Sequence, residues 1–116
     1  MNFARTTLLE MEAFQVEPDR CMVDMAEHLL IGVREVVEGI RALDRGLERT
    51  DALITKMREE EQCIEETYVL GMQEVFLLPD HMMVLKKREI YHHLKDAGRA
   101  LSATADILHR AAFGMG

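Results

Sequence analysis

The chain has few aromatic side chains, few prolines and few cysteines. Its 116 residues include no tryptophan, two prolines and two cysteines, and aromatic residues make up 5 % of the total. Leucine, methionine, alanine, glutamate and arginine are frequent instead. Because these residues favour helices and proline interrupts them, the composition predicts an all-α protein. At this length we expect a single small helical domain over residues 1–116.

Long apolar runs and a basic excess are also absent. No stretch approaches the roughly 20 apolar residues that cross a bilayer, so we expect no direct membrane insertion. The net charge of −7 argues against nucleic acid binding, because phosphate contacts need clustered lysine and arginine. Cys21 and Cys63 have no metal-ligand spacing, and the N-terminus does not resemble a secretory signal. A reduced, cytoplasmic protein is therefore expected.

Apolar residues recur at intervals of three and four along most of the chain, which is typical of amphipathic helices. Pro79 is expected to end one long helix, and Asp80 to cap the next. Long helices joined by short turns predict an antiparallel three-helix bundle with a short N-terminal helical segment. We expect helices over residues 3–15, 19–44, 49–77 and 80–113.

The apolar face of each long helix predicts the core. On the first long helix this face comprises Met22, Met25, Ala26, Leu29, Val33, Val36, Ile40 and Leu43. On the second it comprises Ile54, Met57, Ile64, Tyr68, Met72 and Val75. The polar face of the first helix and a basic cluster on the third are expected to set partner choice. These charged residues are Arg34, Glu35, Glu38, Lys86 and Lys87.

Two acids, Glu61 and Glu65, lie one helical turn apart, and Glu61 falls inside the apolar stripe of the second helix. An ionised carboxylate in an apolar site costs several kcal/mol unless its charge is compensated. Glu61 must therefore be paired with a cationic side chain, bind a metal ion, or lie at the edge of the stripe.

A second candidate metal site lies on the third helix. Glu89, His93 and Asp96 share one face of that helix, with His92 beside them. Imidazole and carboxylate ligands at this spacing could bind zinc or nickel, although ordinary surface residues often show the same pattern. No nucleophile–base pattern, phosphate-binding glycine loop or dinucleotide fingerprint is present, so no enzyme activity is expected.

Residues 57–110 carry an acid-rich helix, a proline break, the segment Arg88-Glu89-Ile90-Tyr91 and the segment Ala105-Asp106-Ile107-Leu108. In this register the chain resembles the C-terminal half of the PhoU-related phosphate transport regulators. Members of that family consist of two three-helix repeats, and this chain resembles one repeat plus the end of the preceding helix. The resemblance implies a non-enzymatic regulator of inorganic phosphate transport that docks on a partner such as a phosphate permease. It also implies a homodimer, formed through the surface that the other repeat would cover.

The resemblance also bears on the two acids. In the PhoU group, acidic motifs on two helices are associated with metal clusters, and the first motif corresponds to Glu61 and Glu65. The acids of the second motif are replaced here by Lys95 and Arg99, which would repel a cation. We therefore expect interhelical charge pairing among these four residues and no bound cofactor. Loss of one partner, as in Glu61→Ala, should then lower the melting temperature.

Two other functions remain open from the sequence. A metal-binding helical bundle could hold a divalent or trivalent ion through Glu61 and Glu65, with Glu89, His93 and Asp96 as further candidates. A generic helical dimerisation module, unrelated to phosphate, would need no bound ion.

Overall fold

The computed structural model describes residue 5 and residues 9–13 and 16–114. The three long helices are α1 (Arg20–Arg41), α2 (Leu47–Val75) and α3 (His81–Ala112). Residues 9–13 are helical as well, and the described part of the chain contains no strand. The protein is therefore all-α, as its composition predicts.

The long helices begin and end within three residues of the predicted positions. The predicted N-terminal segment over 3–15 lies partly outside the described residues, since nothing is described for 3–4, 6–8 and 14–15. Within the described ranges, no helix is long and apolar enough to cross a membrane.

Two helices begin with the same local chemistry. Asp19 and Asp80 each follow a proline and cap α1 and α3 respectively. The Asp19 carboxylate accepts a hydrogen bond from the Met22 backbone N–H at 2.9 Å, and Asp80 accepts one from Met82 at 3.0 Å. Each bond satisfies a backbone donor that has no partner inside the helix, so these residues fix where the helices start.

Helix α2 begins differently, because Gly46 has no side chain with which to cap it. The φ angle of Gly46 is 126°, a conformation that side chains disfavour. Thr50 closes the turn with a buried hydroxyl 3.2 Å from the carbonyl oxygen of Ala42. The short connection between α1 and α2 thus depends on one glycine and one threonine.

Two clusters of buried apolar side chains form the core. The first cluster contains Val16, Met22, Met25, Ile64, Val75, Ile90, Tyr91 and Leu94. The second contains Ile54, Met57, Ala105 and Leu108, with Val36 packed against it. Helices α2 and α3 contribute buried side chains to both clusters, whereas α1 contributes buried side chains to the first and packs Val36 against the second.

Glycines let α1 and α3 approach each other closely. A Cβ added to Gly32 would overlap a δ-methyl group of Leu101, and one added to Gly39 would lie 3.0 Å from Cδ1 of Leu108. The two glycines are seven residues apart and lie on the same face of α1. This glycine face therefore turns towards α3.

The buried face of α1 differs from the predicted one. Ala26, Ile40 and Leu43 were expected in the core, but all three are exposed, with Ile40 57 % accessible. Glu35 was expected on the polar face, but it is only 8 % accessible. The close glycine contact with α3 explains both differences, because it rotates part of the apolar face outwards and carries Glu35 inwards.

Candidate functional site

The four residues of the expected charge cluster are not all brought together. Nε of Arg99 lies 3.6 Å from Oε1 of Glu65, across the edge between α2 and α3. The ammonium group of Lys95 instead lies 4.5 Å from the centre of the Tyr68 ring, as a cation–π contact. Within the described part of the chain, Glu61 forms no ion pair. Of the four residues expected to pair, only Glu65 and Arg99 form an ion pair, and Lys95 contacts an aromatic ring.

Glu61 lies in surroundings that favour its neutral form. Burial raises the pKa of this carboxyl, and repulsion by Glu65 and a hydrogen bond with it raise the pKa further. The attraction of Arg99 acts in the opposite direction. Because Glu61→Ala would leave no cationic side chain without its ion-pair partner, the expected clear loss of stability has no support in these contacts.

The second candidate metal site gains a member, Glu10, that the spacing of residues in the sequence does not indicate. Nε2 of His93 lies 2.6 Å from Oε1 of Glu10 and 3.9 Å from Oε2 of Glu89. One ligand atom from each of these three residues lies within 4.8 Å of the others. Asp96, which shares the helix face of His93 in the sequence pattern, is exposed and outside this group.

The Glu10–Glu89–His93 group has the chemistry either to bind a metal ion or to form a direct contact between His93 and Glu10. One imidazole and two carboxylates form a donor set that zinc accepts, with a fourth position left for water. Oε2 of Glu10 is buried and has no hydrogen-bond partner, whereas the Glu89 side chain is 62 % exposed. A protonated His93 paired with Glu10 would satisfy the same short contact without a metal ion. Spacing could not reveal Glu10, because it lies on the separate segment 9–13 that packs against α3.

A partly buried polar cluster lies between α1 and α2. Nδ1 of His28 lies 2.5 Å from Oε2 of Glu60, and Oε1 of the neighbouring Glu35 is buried without a hydrogen-bond partner. Burial raises the pKa of Glu35, and repulsion by Glu60 adds to the rise, while Lys56 opposes it. Glu35 was expected to help set partner choice from the surface, but its burial rules out that role.

The exposed face of α1 carries a regular apolar stripe, here called the α1 seam. Its alternating intervals of three and four residues are those of the a and d positions of a coiled coil. Five of its six residues are exposed, Leu30 to 52 %, and Val33 is half-buried. The α1 seam consists of Val23, Ala26, Leu30, Val33, Val37 and Ile40.

Two opposite charges border the α1 seam. Glu27 and Arg34 each follow a d-position residue and are both exposed. Neither forms an ion pair with any residue in the described ranges. Spacing did not reveal this surface, because α1 is apolar on two faces and Ala26, Val33 and Ile40 also fit a core face.

Comparisons with known proteins give no match. No family model, no curated protein and no solved structure matches the chain. What the fold and these sites define is an all-α protein in which α1 carries an exposed apolar face. The resemblance to the PhoU-related regulators rests only on the residues named for it above.

Proposed function

We propose that this protein is a non-enzymatic accessory protein of inorganic phosphate transport that acts by binding other proteins through its helix surfaces. The observation that carries the binding role is the α1 seam. Apolar residues at heptad spacing on an exposed helix face are typical of a surface that another helix covers. The connection to phosphate transport comes from the sequence resemblance, which also suggests a phosphate permease as partner. The cytoplasmic location is proposed from the cysteine pattern and the N-terminal sequence.

The proposal includes an antiparallel, PhoU-like arrangement of the three long helices. The order of contacts between α2 and α3 supports opposite directions. Ile64 packs against Gly98, whereas Gly71, about two turns further along α2, packs against Tyr91, which precedes Gly98 on α3. The contacts of α1 with α2 also run in reverse order, since Glu60 meets His28 and Arg49 lies 3.4 Å from Glu38.

This function is tested by measuring phosphate uptake in cells of the source organism from which the gene for this protein has been deleted. We expect uptake to change on deletion and to be restored by the wild-type chain. The variant Leu30→Glu/Val37→Glu should fail to restore it, because charges in the seam oppose docking of an apolar helix. The control Val69→Glu/Leu70→Glu alters two exposed apolar residues of α2 outside the seam and should restore uptake.

Unchanged uptake after deletion would contradict the connection to phosphate. Full restoration by the seam variant would contradict docking through α1. Circular dichroism of both double variants checks that each remains helical, so that misfolding is not mistaken for lost docking.

The Glu10–Glu89–His93 group favours a second candidate function, metal binding by the helical bundle. Here His93 and the two carboxylates would hold a divalent ion such as zinc, and Glu61 with Glu65 would not be needed. Calorimetric titration of the purified chain with zinc should then show one binding site. His93→Gln should abolish the binding, whereas Asp96→Asn, which removes an exposed acid outside the group, should preserve it. No heat of binding in the wild type would exclude this candidate.

A further inference from the structure

We infer that the α1 seam is a self-association surface, on which α1 of a second copy of this chain packs in antiparallel orientation about a two-fold axis. This inference rests on the proposed docking role of the seam and names its occupant. At 1.5 Å per residue the seam is about 26 Å long, enough for three pairs of a and d layers.

A two-fold axis through the middle of the seam lies between Ile31 and Gly32. In this register each a-position residue packs against a d-position residue of the second copy, as in antiparallel coiled coils. Val23 packs against the partner's Ile40, Ala26 against the partner's Val37, and Leu30 against the partner's Val33. Every apolar residue of the seam is thereby covered, which is what a self-complementary interface requires.

The charges beside the seam select this orientation. In the antiparallel register Glu27 faces the partner's Arg34, and by symmetry Arg34 faces the partner's Glu27. In a parallel dimer, e-position residues would face the g positions of the other helix. Those positions are Met22, Leu29 and Val36, which are apolar and face the core of their own bundle. A parallel dimer would therefore leave both charges unpaired.

The outer ends of the register bring Arg20 near the partner's Arg41. Repulsion there is limited, because each arginine already has an intrachain carboxylate. Arg20 pairs with Asp24 at 3.3 Å, and Arg41 lies 4.0 Å from Glu38. Glu27 and Arg34 are thus the two charges at the edge of the seam that gain partners from a second copy. An interface whose two unpaired charges complement each other under two-fold symmetry fits a second copy of the chain.

Charge reversal tests the inference by sedimentation equilibrium at low ionic strength. The wild type, with a chain mass of 13.3 kDa, should form dimers. Glu27→Arg brings two arginines together at both symmetric contacts, and Arg34→Glu brings two glutamates together. Each should weaken dimerisation by about tenfold or more, and the double variant should restore it to within a few-fold of the wild type. Glu66→Arg, an exposed charge reversal on α2, is the control and should leave dimerisation unchanged.

Disulfide formation tests the orientation. In a background with Cys21 and Cys63 replaced by serine, Leu30→Cys chains mixed with Val33→Cys chains should form heterodimeric disulfides. Each variant alone should crosslink poorly, because the antiparallel register places residue 30 opposite residue 33. Efficient crosslinking of Leu30→Cys to itself would contradict the antiparallel register.

A wild-type chain that remains monomeric at about 100 µM would overturn the inference, as would a double charge reversal that fails to restore dimers. These results are distinguishable from failure of the proposed function. A monomer whose seam variants still lose phosphate uptake would exclude self-association and leave docking to another protein. A dimer whose seam variants restore uptake would exclude the proposed docking through α1 and leave self-association.

Discussion

Individual acidic residues of this protein lie in surroundings that favour opposite protonation states. Asp19 accepts hydrogen bonds from the Tyr91 hydroxyl at 2.6 Å and from Nζ of Lys87 at 3.0 Å. Burial alone would raise the pKa of Asp19, but these bonds and the capping bond lower it overall. Glu35 has one buried oxygen without a partner, and its pKa is raised. The ionised form is therefore favoured at Asp19 and disfavoured at Glu35.

The two aspartate caps provide a matched pair of substitutions. Asp80→Ala removes one exposed helix cap and should cost about 1 kcal/mol in free energy of unfolding. Asp19→Ala removes a similar cap and also leaves the Tyr91 hydroxyl and the Lys87 ammonium without their partner. We expect a loss of roughly 3 kcal/mol for Asp19→Ala, measured by urea denaturation at pH 7. Equal losses for the two variants would contradict the described network.

Because the pKa of Glu35 is raised, replacing its carboxyl by a neutral group should stabilise the fold, and the size of this stabilisation should depend on pH. The folded carboxyl binds its proton more tightly than the unfolded one, so the stability of the fold falls as pH rises above the ordinary glutamate value of 4.5. Glu35→Gln should therefore raise the melting temperature at pH 7 and have little effect at pH 4. Glu66→Gln, at an exposed position, should change neither value. A lower melting temperature for Glu35→Gln at pH 7 would show that the charged form is stabilised.

At the scale of single elements, the sequence predicted helix positions better than helix faces. Proline followed by aspartate marks the starts of α1 and α3, and the spacing of Ile54, Met57, Ile64 and Val75 marks the buried face of α2. Spacing could not orient α1, which is apolar around much of its circumference. Its orientation follows from contacts between glycine and leucine that only the packed helices create.

Most of the candidate sites are formed by contacts between residues that lie far apart in the sequence. Glu10 reaches His93 from a separate segment, and Lys95 turns to Tyr68 although its charge suggested an acidic partner. The residue types near these sites could be named from the sequence. The partners of these residues could not be predicted, because they depend on how the helices are rotated relative to one another, and periodicity does not determine that rotation.

The close contact between α1 and α3 predicts that replacing Gly32 by alanine lowers the free energy of unfolding. Alanine is normally the better helix former by about 1 kcal/mol, but its methyl group at position 32 would overlap Leu101. Gly32→Ala should therefore lower the free energy of unfolding, by about 1 to 2 kcal/mol, despite the gain in helix propensity. The double variant Gly32→Ala/Leu101→Ala should cost less than the sum of the single variants. Additive costs in urea denaturation would contradict the close contact.

At the scale of the whole molecule, the protein is a rod measuring 52 × 23 × 21 Å. The α1 seam, about 26 Å long, extends over about half of the long axis. A surface of this length allows two rods to lie side by side and cover an apolar stripe that is otherwise exposed to water. Dimer formation would then add to the stability of the folded chain, because the second copy binds only the folded state.

The dependence of melting temperature on protein concentration tests this claim most directly, since it detects association and its effect on the fold together. Between 1 and 100 µM, the melting temperature of the wild type should rise by several degrees, in line with the mass-action gain. The melting temperature of Leu30→Glu should stay constant over the same range. A wild-type melting temperature that does not change with concentration would contradict self-association through α1.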